Sequence, residues 1–269
     1  MSPLTSEVSQ QDRYMSESEA AALICHVGKR MYDRNYVAAN DGNISIKIGD
    51  DAVLCTPTGV SKGFMTPEML CKVNLKGEKT GGRLNPSSEI KMHLRVYREN
   101  AQVMAVTHAH PVIATSYAIA GIELDLALLP EAIVNLGRVP IAKYATPGTE
   151  EVPESIAPFC LSHNAVLLAN HGALTWGGDI LEAFHRMESL EHYASMLLTT
   201  TRVLGSYNQL SCEQVETLIA LRTQMGIKGG GVPTCGLSVS PHFEIQNPLS
   251  AVDEIVQKVT AKILEQLKV

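Results

Sequence analysis

No stretch of this 269-residue chain stays apolar for the roughly 20 residues that a membrane-spanning helix needs, so no membrane association is expected. A basic block is also missing. The formal net charge is -6, and a mildly acidic chain without such a block is a poor partner for nucleic acid or an anionic membrane. Met1 to Asp12 is polar and lacks the apolar centre of a secretory signal, which points to a cytoplasmic location. The six cysteines, Cys25, Cys55, Cys71, Cys160, Cys212 and Cys235, contain no C-x-x-C pair. Reduced thiols are therefore expected, rather than a disulfide framework or a structural zinc knot. No internal repeat is present.

What is there suffices for one sizeable core with appendages. Ser16-Glu17-Ser18-Glu19 has the spacing of a capping box, and Leu23, Ile24, Val27 and Met31 follow at helical intervals. Asn40-Asp41-Gly42-Asn43 is a turn leading into the alternating Ile44, Ile46 and Ile48 of a strand. A second small polar turn, Thr56-Pro57-Thr58-Gly59, follows Val53 and Leu54. Both turns suit an anion, although each alone is more often just a turn. A helix is expected to begin near Ser87, where free amides and the Ser87 and Ser88 hydroxyls suit phosphate as readily as a simple cap.

Val103 to Val106 reads as a buried strand ending in His108-Ala109-His110-Pro111. Residues two apart on a strand share a face, so the two imidazoles form a natural pair of metal ligands. Leu128 to Glu131 reads as a turn or short connection, Val139 to Tyr144 as a strand and Glu150 to Leu161 as a helix. The apolar run Ala165 to Ala169 ends at Asn170-His171-Gly172, where the glycine permits a turn or a close approach. Helices follow from Asp179 to Leu198 and from Cys212 to Thr223. The expected organisation is a flexible leader at 1–15, one mixed α/β domain at 16–225, a Gly- and Pro-rich linker at 226–250 and an amphipathic helix at 251–269.

Taken in order, Gly42-Asn43-Ile44-Ser45, Thr56-Pro57-Thr58-Gly59, Pro86-Ser87-Ser88-Glu89, His108-Ala109-His110, Tyr144 to Thr149 and Asn170-His171-Gly172 resemble a known family. It is the class II aldolases of the L-fuculose-1-phosphate aldolase and L-ribulose-5-phosphate 4-epimerase superfamily. The resemblance covers about residues 16–225. It implies a central, mainly antiparallel sheet flanked by helices, in a homotetramer with active sites between subunits. It further implies one zinc ion per subunit on His108, His110 and His171. Glu89 becomes a ligand of the empty site and a base once substrate displaces it. Asn43, Thr58, Gly59, Ser87 and Ser88 match positions that bind the substrate phosphate. The implied reaction is retro-aldol cleavage of a fuculose or rhamnulose 1-phosphate to dihydroxyacetone phosphate and an aldehyde such as lactaldehyde.

Fuculose-phosphate aldolases carry tyrosines near the positions of Leu129 and Met225, and this chain has no phenol at either. Glu131 is the nearby group able to take over a proton transfer. Epimerisation of a pentulose phosphate, dehydration and decarboxylation would use the same histidines, and a metal-free scaffold domain is the non-enzymatic alternative. In the tail, Val252, Ile255, Val256, Val259, Ile263, Leu264 and Leu267 fall on one broad helical face. Such a helix behind a linker resembles the encapsulation peptides of bacterial microcompartments, which implies a shell protein as partner of residues 251–269; packing onto its own subunit or a neighbour in the oligomer is the alternative.

Overall fold

In the computed structural model the chain divides into two units, Met1–Gly236 and Leu237–Val269. The structure describes residues 14–236 and Val256, so the leader before Tyr14 and the amphipathic tail lie outside the described residues.

Helix α1 (Glu17–Asp33) starts at the expected capping box. The Ser16 side chain accepts from the Glu19 amide, and the Glu19 carboxylate accepts from the Ser16 amide. Its stripe of Ala20, Ile24, Val27 and Met31 is buried. The strands β1 (Asn43–Gly49), β2 (Ala52–Cys55), β3 (Cys71–Val73) and β4 (Lys79–Gly81) form one half of the sheet. The other half holds β5 (Ala105–Ala109), β6 (Ile141–Ala142), β7 (Ala165–Leu168) and β8 (Gly172–Gly177). The spatial order is β4-β3-β2-β1-β5-β8-β7-β6. All neighbours are antiparallel except β6 and β7, so the sheet is mainly antiparallel, as expected.

Helices cover both faces. On one, α1, α3 (Val112–Ala120) and α6 (Ile180–Leu198) pack on Ile44, Ile46, Ala105 and Ala109. On the other, α2 (Ile90–Glu99) and α5 (Glu151–Ile156) cover Val53, Val106, Leu174 and Trp176. The period-2 alternation of β1 and β5 decides which residue meets which layer.

Several local expectations are corrected. The helix expected near Ser87 begins at Ile90, with Glu89 as its N-cap, so both serines stand just ahead of it. Leu128 to Glu131 runs into helix α4 (Pro130–Asn135), with Pro130 at its first turn, too short for a legible period. Only Ile141 and Ala142 of the expected strand at 139–144 are strand. Strand β8 went unread because all six of its residues are buried and show no alternation.

The cysteines are not all free thiols. Cys212, opening helix α7 (Cys212–Gln224), is disulfide-bonded to Cys235 with Cα atoms 5.1 Å apart, while Cys25, Cys55, Cys71 and Cys160 are free. The chain folds back alongside the start of α7, and a separation of 23 residues carries no local signature. Backbone bonds also tie residues 229–234 to the domain, from Arg138 N to Gly230 O, from Gly230 N to Ser162 O and from Thr234 N to Asp125 O.

Candidate metal centre

His108 is the penultimate residue of β5, paired with Asn43 of β1 on one side and Leu174 of β8 on the other. His110 follows the strand end, its amide donating to Tyr36 O, before Pro111 opens α3. His171 sits in the tight connection between β7 and β8, behind Asn170 in the left-handed region at φ 57°. Strand pairing thus brings a residue about 60 positions away beside the His-x-His pair. The three ring centroids lie 4.8 to 5.1 Å apart, and one nitrogen from each ring falls within 4.8 Å of the others. Gly172 makes this approach possible. A Cβ there would stand 2.5 Å from His110 Cδ2 and 2.6 Å from Ala109 O.

Outer contacts fix which nitrogens point inward. His108 Nδ1 donates to Ala173 O at 2.9 Å, which leaves its Nε2 bare. His110 Nδ1 faces the Asp41 carboxylate at 3.5 Å, and its Nε2 comes within 3.1 Å of His108 Nε2. Both Nε2 atoms thus converge on one space, which a bound cation would share between them. Glu89 adds an acceptor: its Oε2 lies 3.4 Å from His108 Nε2 and its Oε1 3.1 Å from His171 Nε2. Oε1 is buried and makes no well-aligned hydrogen bond among the described residues. Three converging imidazoles beside an orphaned carboxylate oxygen are a donor set that fits a divalent metal such as zinc.

The electrostatics agree. Burial pushes His108 down to about 3 and lowers His110 as well, so both rings are in the neutral, ligating form at neutral pH. Burial would raise the Glu89 carboxyl. His108, His171 and the Asn43 amide outweigh it and hold the group well below the usual carboxylate range.

The two polar turns join beside this corner. Thr58 N donates to Asn85 O and Ser87 N to Thr56 O, zipping the Thr56–Gly59 turn to the Asn85–Ser88 loop. Thr58, Gly59 and Ser88 are exposed and Ser87 is half-buried, with Glu89 next in the chain. A Cβ at Gly148 would stand 3.8 Å from that of Ser88, so the Thr146–Thr149 turn borders the same place. Asn43 is 3 % exposed, and its Nδ2 donates to Glu89 Oε2 at 2.8 Å. Glu131 stands exposed in the first turn of α4, and none of the contacts that knit the corner involves it.

Sequence reasoning missed three contributors. Lys62 is 1 % exposed, and its ammonium donates to Asn40 O and Val60 O at 2.7 Å each, tying the Asn40–Asn43 turn to the residue after Gly59. Burial lowers it to about 8. Asp41 backs His110, and His93 is fully buried behind Asn43. The spacing of His93, four residues after Glu89, was the available signal.

The model of the class II aldolase and adducin N-terminal domain matches residues 22–198. The chain is 33 % identical over 186 residues to a 3-oxo-tetronate 4-phosphate decarboxylase of Pectobacterium atrosepticum, covering 68 % of this chain and 85 % of that one. It is 34 % identical to an L-fuculose phosphate aldolase of Methanococcus maripaludis, over 64 % of this chain and 91 % of that one. The crystal structure of an L-fuculose-1-phosphate aldolase from Thermus thermophilus superimposes with a TM-score of 0.63 at 32 % identity, covering 72 % of this chain and all of that one.

Proposed function

This chain belongs to the class II aldolase and adducin N-terminal domain family, and from that premise we propose that it is a zinc-dependent lyase cleaving a ketose 1-phosphate of the fuculose or rhamnulose type. The products are dihydroxyacetone phosphate and an aldehyde such as lactaldehyde. The observation that carries the reading is the Glu89 carboxylate, set between three converging imidazoles and the joined polar turns.

His108, His110 and His171 would hold one zinc ion per subunit, with Glu89 as a further ligand in the absence of substrate. When bound, the ion supplies a fixed positive charge that lowers the cost of negative charge developing on a substrate oxygen. The substrate phosphate belongs at Asn43, Thr58, Gly59, Ser87 and Ser88, where neutral amides and hydroxyls are the donors. Glu89, ionised and adjacent, accepts a proton from the carbon next to the carbonyl when the reaction runs toward condensation. Glu131, exposed on α4, is the proposed proton-transfer group on the aldehyde side, in the place of the missing phenols. A homotetramer would bring its neighbour's surface to the site.

Decarboxylation is the second reading, since a relative of similar identity carries that name. Both reactions leave an electron pair on the carbon beside a carbonyl, so one corner serves either. Incubating the zinc-loaded protein with L-fuculose 1-phosphate, L-rhamnulose 1-phosphate, L-ribulose 5-phosphate and 3-oxo-tetronate 4-phosphate separates them. Dihydroxyacetone phosphate from the first two supports the aldolase. Carbon dioxide from the last alone transfers the assignment to the decarboxylase. Residues 251–269 are proposed as a shell-binding helix that confines the aldehyde, a role lost if their fusion to a fluorescent protein is not recruited to a shell.

A further inference from the structure

The pairing of β1 with β2 has its last rung at Ile44 and Thr56. Thr56 N donates to Ile44 O at 3.0 Å, and Ile44 N donates to Thr56 Oγ1 at 3.2 Å. Beyond this rung the two chains part into the Asn40–Asn43 and Thr56–Gly59 turns. They are joined again at Lys62, whose ammonium donates to Asn40 O and Val60 O. Asn40 lies four residues before Ile44, and Val60 four residues after Thr56. Both bonds are 2.7 Å, so the two carbonyl oxygens stand within about twice that distance of each other. The result is a closed frame, with the rung at one end and the ammonium at the other. Residues 41–43 and 57–59 are its sides, and Asn43, Thr58 and Gly59 lie on them.

This end of the frame is built at a cost. Lys62 is 1 % exposed and is bonded to carbonyls rather than to a carboxylate. Burying an ammonium is unfavourable, and a methionine of similar length would fill the space without that penalty. What the ammonium adds is several N–H groups on one atom, able to hold two carbonyls at once. Ala39, just before the frame, is in the left-handed region at φ 45°, which a residue with a side chain keeps only where its surroundings impose it. Lys62 is itself anchored. It opens a 3-10 turn, Lys62–Phe64, lying against α1, where a Cβ at Gly28 would stand 2.8 Å from Lys62 O. The Phe64 ring meets that of Tyr32 with centroids 5.3 Å apart.

We infer that Lys62 is a positioning residue for the substrate phosphate, holding the two sides of the frame at the spacing from which their donors converge on one anion. The inference rests on the reading that a phosphorylated substrate is bound at these turns. Neutral donors owe their strength to alignment, so a frame opened at the Lys62 end weakens binding without removing any donor. The zinc ligands lie outside the frame. His108 is held in β5, His110 by its amide on Tyr36 O, and His171 between β7 and β8. Losing the tie acts on phosphate affinity, not on the rate of the bound complex.

The experiment compares wild type with Lys62→Met. Zinc is kept in excess, because Asp41, which faces His110, lies inside the frame. With L-fuculose 1-phosphate, KM should rise by about 10- to 100-fold, the scale of one hydrogen bond to a charged group. Turnover and bound zinc should stay within about threefold of wild type, the pattern of lost uniform binding. The inhibition constant of inorganic phosphate should rise with KM. Amide exchange should quicken at 41–43 and 57–59 and stay unchanged in the β5–β8 ladder. An unchanged KM, or a fall in kcat at unchanged KM, overturns the inference. Loss of zinc, or faster exchange throughout the sheet, also overturns it, because a general structural role would then explain the variant. If wild type turns over none of the phosphates, the proposed reaction fails, and calorimetry with inorganic phosphate decides the role of Lys62. Binding weaker by about tenfold or more in Lys62→Met upholds it, whereas equal binding, or none to wild type, overturns it. If Lys62→Met does not fold, a crystal structure of zinc-loaded wild type with inorganic phosphate decides. An anion between Asn43 and Thr58–Gly59, with the ammonium still on both carbonyls, upholds the inference, and an anion seated elsewhere overturns it.

Discussion

The histidine corner and the phosphate turns are neighbours in space, yet they are built in opposite ways. The corner is made of side chains fixed from behind. His108 is held by Ala173 O, His110 faces Asp41, and Glu89 is held by Asn43. The turns present backbone amides and short hydroxyls at exposed Thr58, Gly59 and Ser88, and Lys62 donates to the backbone at Asn40 and Val60 nearby in the chain. A site whose charge sits on a few converging atoms fails as a unit when one is removed. A cradle of many weak donors loses affinity by degrees.

The largest expected effect is at the corner. His110→Ala should lose bound zinc and measurable activity together while the chain stays folded, and full zinc content in the purified variant would break the assignment. Next is Glu89→Gln, which keeps shape but not basicity. Turnover should fall by ~10²–10⁴-fold with little change in substrate affinity. Exchange of the carbon-bound proton of dihydroxyacetone phosphate at the wild-type rate would move the base elsewhere. In the turns the contrast should sharpen. Ser87→Ala removes one donor among several, and a hydrogen bond to a charged group contributes ~1.5–3 kcal/mol, so KM should rise by about 10- to 100-fold at unchanged zinc content. A loss of zinc in that variant would mean that the two regions are not separable.

The smallest effect concerns stability, and again only the corner should show it. Burial holds His93 and His108 at about 3 in the folded chain, against an ordinary 6.5. Below 6.5 the unfolded chain binds protons that the folded chain refuses. Stability is therefore full above that pH and is lost as pH falls toward 3. Urea midpoints of the chelated protein should drop between pH 7 and 4.5, less steeply for His93→Gln than for wild type. Equal slopes would mean that other groups dominate acid unfolding.

Much of this was legible in the chain. The capping box before α1, the Ile44–Ile46 alternation and the His-x-His strand end are local patterns, and each lies where its period predicted. Local patterns failed where pairing partners are distant or elements are short. Strand β8 is buried on both faces, α4 has six residues, and the Cys212–Cys235 bond spans a loop without regular spacing. In the sequence Asp41 reads only as part of a turn, because a carboxylate behind a histidine is defined by a neighbour about 70 positions away.

By itself the sequence determined the inventory: which strands alternate, where the main helices start, and that three histidines, a carboxylate and small polar turns exist in one chain. Tertiary structure alone decided their relations. Pairing of β5 with β8 puts His171 beside His108, because the register of a ladder is set by contacts spread along both strands. The interlocking of α2 with β1 turns Glu89, His93 and Asn43 into one row, because a helical rise over four residues nearly equals a strand rise over two. A linear pattern records each period but not which helix will lie on which strand.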